Sequence, residues 1–89
     1  MAERALINLT EEERALLLTK VDLTARLDSI VSAAQHGARG WGFTLSPEDA
    51  SEIRERCSES LMEIGFNQDD TPTKNGLLLE SMIDKFFVR

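Results

Sequence analysis

The chain has 89 residues, 42% of them apolar, and a formal net charge of −6 at pH 7. This length allows one domain with one hydrophobic core, and no apolar run approaches the roughly 20 residues that cross a bilayer. The negative charge disfavours nucleic acid as a direct partner, because phosphate binding depends on Lys and Arg that displace counterions.

The N-terminal residues give the first start signal of a helix. Thr10 followed by Glu13 forms a capping-box pattern, and residues 11–13 are all acidic, which suits the positive end of a helix dipole. Residues 1–9, ahead of this signal, are predicted to be loosely ordered. They show no basic start that leads into a long apolar stretch, so we expect a cytoplasmic protein without a membrane segment.

The segment after Thr10 has a drifting apolar pattern. The simplest prediction is one helix over about 11–35, because Gly37 after His36 is typical of a helix C-terminus. The apolar residues of its first half point in a different direction from those of its second half. A split near Asp22 into two shorter helices is therefore the alternative.

An aromatic, glycine-spaced connector follows over residues 37–45. Glycines on both sides of Trp41 make the backbone permissive, so this ring and that of Phe43 are predicted to fold back onto the core without regular structure. Aromatic side chains on such a loop are also typical of binding hot spots, which makes Trp41 and Phe43 candidate partner-binding residues.

Residues 47–64 carry the clearest helix signals of the chain. Ser46 is a favourable N-cap, Pro47 suits the first helical position, and Gly65 is a natural stop. Apolar residues recur along this segment at steps of three and four, at Ala50, Ile53, Cys57, Leu61 and Ile64. Glutamates recur at similar steps about half a turn away, at Glu48, Glu52, Glu55, Glu59 and Glu63. The helix is predicted to bury one face and to present a row of carboxylates on the other.

A polar turn around Asp69 and Asp70 separates this helix from a last one, predicted over 72–87 with Thr71 or Thr73 as its cap. Its broad apolar face predicts a largely buried helix. The fold class that follows is all-α: one helical domain over 1–89, a bundle of three helices, or four if the first is split.

The sequence offers little for catalysis or for binding a metal. Cys57 is the only cysteine and His36 the only histidine, which is too few for an intramolecular disulfide or a typical zinc site. Cys57 also belongs to the apolar row, so we interpret it as a core residue. No convergent set of nucleophile, base and acid is visible. We expect no cofactor, no metal and no enzymatic activity.

The row of glutamates favours a binding function. Five carboxylates on one helix face repel each other, and a cationic partner would relieve that repulsion. Together with Asp69 and Asp70, this face predicts a protein–protein interaction module that docks a basic surface, of the immunity, antitoxin, inhibitor or adaptor type. The alternative is a structural homodimer, in which Leu17, Leu18 and Val21 or the C-terminal apolar face completes a shared core.

Overall fold

The computed structural model describes residues 4–87 and has an α+β fold. In chain order its elements are β1 (Ala5–Leu9), α1 (Glu11–Lys20), α2 (Ala25–Ser32), β2 (Gln35–Gly37), β3 (Gly40–Leu45), α3 (Pro47–Ile64) and α4 (Lys74–Lys85). The three strands form one antiparallel sheet in the order β1-β3-β2. The prediction of an all-α helical bundle is therefore wrong.

The two longer strands lie where the sequence indicated loose or irregular chain. β1 occupies residues predicted to be loosely ordered, and β3 occupies most of the connector 37–45; residues 1–3 lie outside the described part of the chain. The pairing runs from Ala5 opposite Leu45 to Leu9 opposite Trp41. Apolar side chains on every second residue of β3 explain the strand, because this period places them on one face of a sheet.

The short strand β2 replaces the predicted end of the first helix. His36 and Gly37 do not terminate a helix; they pair with β3, where His36 lies opposite Trp41. The tight connection between β2 and β3 depends on Gly40, which has a φ of +102°. A Cβ at this position would also collide with the carbonyl oxygen of Leu9. Glycine is the residue that tolerates both conditions.

The segment predicted as one helix over 11–35 contains two, so the single helix is wrong and the split near residue 22 is confirmed. Val21 leaves α1 in an extended conformation, and Thr24 caps α2 by accepting a hydrogen bond from the Leu27 amide. The capping box of α1 is present as predicted: the Glu13 amide donates to Thr10 Oγ1 at 3.1 Å, and the Thr10 amide donates to Glu13 Oε1 at 2.9 Å.

Helices α3 and α4 form an antiparallel pair. α3 has the predicted bounds, and the Ser46 hydroxyl accepts a hydrogen bond from the Asp49 amide at 3.2 Å. α4 is two residues shorter at each end than the predicted 72–87, with Thr73 as its N-cap and Phe86 as its C-cap. The Thr73 hydroxyl accepts from the Gly76 amide and donates to the Ile64 carbonyl, each at 2.9 Å, which ties the start of α4 to the end of α3.

One apolar core lies between the helices and the inner face of the sheet. The ring of Phe43 in β3 lies 6.2 Å from that of Phe86, which follows α4, and both rings are buried. Leu17 and Val21, residues of the predicted dimer surface, are also buried in this core within one chain. Across residues 4–87, no helix combines the length and the apolar character that a bilayer-spanning segment requires.

Candidate functional site

The five glutamates of α3 form one solvent-facing row, which we call the acidic ridge (Glu48, Glu52, Glu55, Glu59 and Glu63). Four of them are exposed, and Glu52 is partly buried. Their spacing keeps them within roughly a quarter-turn of the helix surface. On the opposite face of α3, Ala50, Ile53 and Cys57 are fully buried, and Leu61 and Ile64 are partly buried. The predicted two-faced helix is therefore present.

The ion pairs of residues 4–87 all use carboxylates outside the acidic ridge. They are Arg26–Asp49, Arg56–Asp22, Lys74–Glu12 and Lys85–Glu13. The positive charge of Arg26 interacts favourably with Glu52 without forming an ion pair with it. The charge of the acidic ridge is thus left to solvent or to a partner.

Asp49 is acidic and close to the ridge in sequence, but it has a structural role. Its carboxylate accepts two hydrogen bonds from the Arg26 guanidinium, at 2.8 and 2.5 Å, which joins the start of α3 to α2. This bidentate contact holds the pKa of Asp49 below its usual value and outweighs the opposing effect of burial. The Asp49 carboxylate is therefore occupied inside the fold.

Glu13 is the most buried charged side chain in the described chain, at 2% exposure, and it is also structural. Burial alone would raise its pKa, but hydrogen bonds from Lys85, from the Thr10 amide and from Ser81 together hold the pKa below the usual value. The Lys85 ammonium lies 2.6 Å from Glu13 Oε1. This pair links α1 to the end of α4 and leaves Glu13 unavailable to a ligand.

A shallow groove of about 680 Å³ runs beside the acidic ridge, between α3 and the end of α4. We call it the α3–α4 groove; its lining residues are Arg54, Glu55, Ser58, Glu59, Ile83 and Phe87. Glu55 and Glu59 belong to both the groove and the ridge. The Phe87 side chain is 55% exposed, and the Arg54 guanidinium lies 4.8 Å from the centre of its ring.

Further apolar surface borders the ridge at Met62, which is 81% exposed. Met62 follows Glu59 by three residues on α3, and this spacing makes the two side chains neighbours on the helix surface. Sequence reasoning missed both Met62 and the α3–α4 groove. In the broad apolar face predicted for the last helix, Leu79, Met82 and Phe86 are fully buried, whereas Phe87, which lies outside that face, is 55% exposed.

The Asp69–Asp70 turn follows the C-terminal end of α3 and is exposed. Asp69 accepts hydrogen bonds from the Thr71 hydroxyl at 2.6 Å and the Thr71 amide at 3.2 Å, and these bonds lower its pKa. Asp70 adopts a left-handed backbone with a φ of 65°. Asp69 is therefore ordered by its own turn, and Asp70 is the freer carboxylate of the two.

The aromatic candidates Trp41 and Phe43 lie in the sheet and not on the acidic ridge. Phe43 is a core residue with 7% exposure, which leaves it no surface for a partner. Trp41 is partly buried, with the Arg14 guanidinium 4.1 Å from its ring centroid and the His36 ring centroid 4.9 Å away. Neither contact was anticipated, because strand pairing places His36 opposite Trp41 and the packing of α1 supplies Arg14.

The remaining chemistry candidates do not form a reactive centre. Cys57 is fully buried, and burial raises the pKa of its thiol to about 12, so the thiol remains protonated at neutral pH. Within residues 4–87, no three His, Cys, Asp or Glu side chains are arranged to hold a metal ion.

Searches of protein-family models, curated proteins and solved structures found no match to this chain.

Proposed function

We propose that this protein is a protein–protein interaction module, and that its acidic ridge and α3–α4 groove bind a cationic amphipathic segment of another protein. The observation that carries the proposal is the lack of internal ion pairs on the ridge. The five neighbouring carboxylates of the ridge form no ion pair within residues 4–87. Four ion pairs form elsewhere in this part of the chain. Like charges three or four residues apart on a helix repel, and a cationic partner converts that repulsion into attraction.

The apolar surface beside the ridge supports an amphipathic partner over a purely basic one. Ile83 and Phe87 line the groove next to Glu55 and Glu59. Exposed apolar side chains that border charged ones are typical of interaction sites, where the apolar contact supplies affinity and the charges supply orientation. The expected partner therefore places Lys or Arg along the ridge and an apolar side chain in the groove.

Synthetic helical peptides test this partner chemistry directly. We would compare a Lys/Leu amphipathic peptide, a Glu/Leu peptide of the same pattern and a Lys/Gln peptide without apolar residues, by fluorescence anisotropy at low and high salt. The Lys/Leu peptide should bind most tightly, and its affinity should fall as salt screens the ridge. The Glu/Leu peptide should not bind.

The ridge is tested by the triple variant Glu52→Gln, Glu55→Gln and Glu59→Gln. Gln retains helix propensity, so the fold should persist while three charges are lost. Affinity for the Lys/Leu peptide should fall, mainly through slower association. The matched control replaces Asp22 and Asp28 with Asn and Glu80 with Gln, which removes three exposed charges elsewhere. Equal affinity in the two triple variants would reject the ridge as the binding surface.

The groove is tested separately by Phe87→Ala. This change should weaken binding of the Lys/Leu peptide and leave the Lys/Gln peptide unaffected, because only the first offers an apolar side chain. Leu77→Ala is the control, since Leu77 lies on α4, away from the groove lining, and is also 55% exposed. If Phe87→Ala and Leu77→Ala behave alike, the groove has no part in binding.

A further inference from the structure

The strand β1 leaves one edge of the sheet open. It pairs only with β3, and no hydrogen bond from any other part of residues 4–87 reaches its backbone. In an antiparallel ladder, alternate residues direct their N–H and C=O groups away from the paired neighbour. The outer edge of β1 therefore presents unpaired donors and acceptors, which are a template for another strand.

The sequence of β1 lacks the features that normally protect such an edge. Residues 5–9 contain no charged residue and no proline, and the ladder with β3 runs over all five positions without a bulge. Leu6, on the outer face of the sheet, is 63% exposed. The opposite edge differs, because β2 has only three residues, and short edge strands are poor templates.

We propose that two copies of this chain associate through antiparallel pairing of their β1 strands, which creates a continuous six-stranded sheet. The register that pairs all five residues has its two-fold axis at Ile7, with Leu6 opposite Asn8 of the second copy. In this register the two Leu6 side chains are diagonal neighbours on the same face, a separation at which side chains still interact. The exposed Leu6 of each copy is then covered by the other.

The charges that flank β1 are complementary in this register. Within its own chain, Arg4 donates from Nε to Thr44 Oγ1 at 3.3 Å and from Nη2 to the Thr44 carbonyl at 3.2 Å. In this register Arg4 lies opposite Thr10 of the second copy, which places its remaining guanidinium nitrogen beside the acidic start of α1 with Glu11 and Glu12. Glu11 is exposed and has no ion pair in the described chain, whereas Glu12 contacts Lys74 at 3.6 Å. The two-fold axis produces this cation–carboxylate contact twice, once on each side. These features favour a second copy over an unrelated strand.

Sedimentation equilibrium on the full chain tests the association. We expect the apparent mass to rise with concentration toward twice the 10.0 kDa of one chain, over a range from about 5 to about 200 µM. Leu6→Lys should raise the dissociation constant by roughly tenfold or more, because it removes the apolar contact and places like charges diagonally across the axis. Leu77→Lys, on α4, is the matched control and should leave the mass unchanged.

Charge reversal tests the register. Arg4→Glu and Glu11→Arg should each weaken the dimer, and the double variant should restore it, because the two positions meet only across the two-fold axis. Glu11 lies outside β1, so this arm remains informative if Leu6→Lys fails to fold by far-UV circular dichroism. A single-chain mass at all concentrations would overturn the proposal. So would a dimer that is insensitive to Leu6→Lys and to both charge reversals.

The test is independent of the proposed peptide-binding function. The acidic ridge is on α3, and the strand edge is on β1, so the triple Gln variant of the ridge should sediment like the parent chain. Loss of peptide binding with an intact dimer would reject only the ridge, and a monomer that binds the Lys/Leu peptide would reject only the strand pairing.

Discussion

The two halves of the molecule are held together by interactions of different range. In the C-terminal half, residues 46–87, α3 and α4 are neighbours in sequence and are tied by local contacts such as the hydrogen bond from Thr73 to Ile64. In the N-terminal half, residues 4–45, β1 must find β3 across an intervening pair of helices. Closing that longer loop costs more chain entropy before any contact forms. We infer that the stability of the sheet depends on the C-terminal half more than the stability of the C-terminal half depends on the sheet.

Of the contacts that join the halves, two involve the end of α4. Phe86 packs against Phe43 of β3, and Lys85 pairs with the buried Glu13 of α1. The N-terminal half therefore has neither a complete core nor a compensated buried charge without this segment. Single substitutions at these positions measure how tightly the two halves are coupled.

The largest effect is expected for Phe86→Ala. Phe86 is fully buried, and removal of a buried Phe ring costs about 3–5 kcal/mol. Urea unfolding should be followed by far-UV circular dichroism, which reports the helices, and by fluorescence of Trp41, the only tryptophan. In the parent chain the two signals should change together, as expected for one cooperative unit.

Two signals that separate in the Phe86→Ala variant, with Trp41 changing first, would show that the sheet loses its structure before the helices. Signals that still coincide at a lower urea concentration would mean that the halves unfold as one even when their contact is weakened. If the free energy of unfolding falls by less than about 1 kcal/mol, the Phe86 ring is not packed at the centre of the core.

The second prediction concerns the Lys85–Glu13 pair. Lys85→Met keeps the length of the side chain but leaves the buried Glu13 carboxylate without its cation, which we expect to cost roughly 2–3 kcal/mol at pH 7. The control is Lys74→Met. Lys74 is 78% exposed in its ion pair with Glu12, and its loss should cost less than about 0.5 kcal/mol.

The pH dependence of this pair has a definite sign. The pKa of Glu13 in the folded protein is below its ordinary value of 4.5, so its contribution to stability is complete above that pH and is lost as the pH falls through the lower folded value. In Lys85→Met, we expect the pKa of Glu13 to lie higher than in the parent chain, because the Lys85 ammonium no longer opposes the effect of burial. The stability gap between parent and variant, measured by urea unfolding, should therefore narrow below about pH 4. A gap that widens in acid would contradict this assignment.

The difference in range also explains what could be predicted from the sequence. The bounds of α3 follow from Ser46, Pro47 and Gly65, which act within their own turn of chain. β1 depends on a partner roughly 35 residues away, and no local signal reports that distance, whereas β2 and β3 pair as a local hairpin. The alternation of Trp41, Phe43 and Leu45 was readable as a strand, but the neighbouring glycines favoured a loop. β1 was less readable, because the exposed Leu6 hides its alternation.

The same limit applies to the candidate site. The acidic ridge was predictable because it repeats along one helix. The groove was not predictable, because it requires the packing of α4 against α3. The structural roles of Asp49 and Glu13 were not predictable either, because their partners Arg26 and Lys85 come from other elements. Charged residues that look alike in the sequence thus divide into solvent-facing and structural ones only once the elements are packed.

A third prediction tests the close contact between Gly76 and Gly65 in the C-terminal half. In an isolated helix, Gly76→Ala should be stabilising. In the folded protein we expect the free energy of unfolding to fall by about 1–3 kcal/mol, because a Cβ at Gly76 would collide with the Gly65 carbonyl oxygen where α4 meets the end of α3. Gly37→Ala is the control, since a Cβ there has no atom within 4 Å. Thermal unfolding should separate the two variants, and equal midpoints would mean that α4 can shift away from α3 at little cost.

The smallest effect is expected at the start of α3. Ser46→Ala removes the hydroxyl that accepts from the Asp49 amide, and loss of such a cap costs about 1 kcal/mol. Ser58→Ala is the control, because the Ser58 hydroxyl donates only to the Arg54 carbonyl within the helix, and that bond adds little to stability. Urea unfolding of both variants should show a loss only for Ser46→Ala. Since Asp49 also holds Arg26 of α2, a loss of stability well above that of an ordinary cap would show that the cap also supports this junction between the halves.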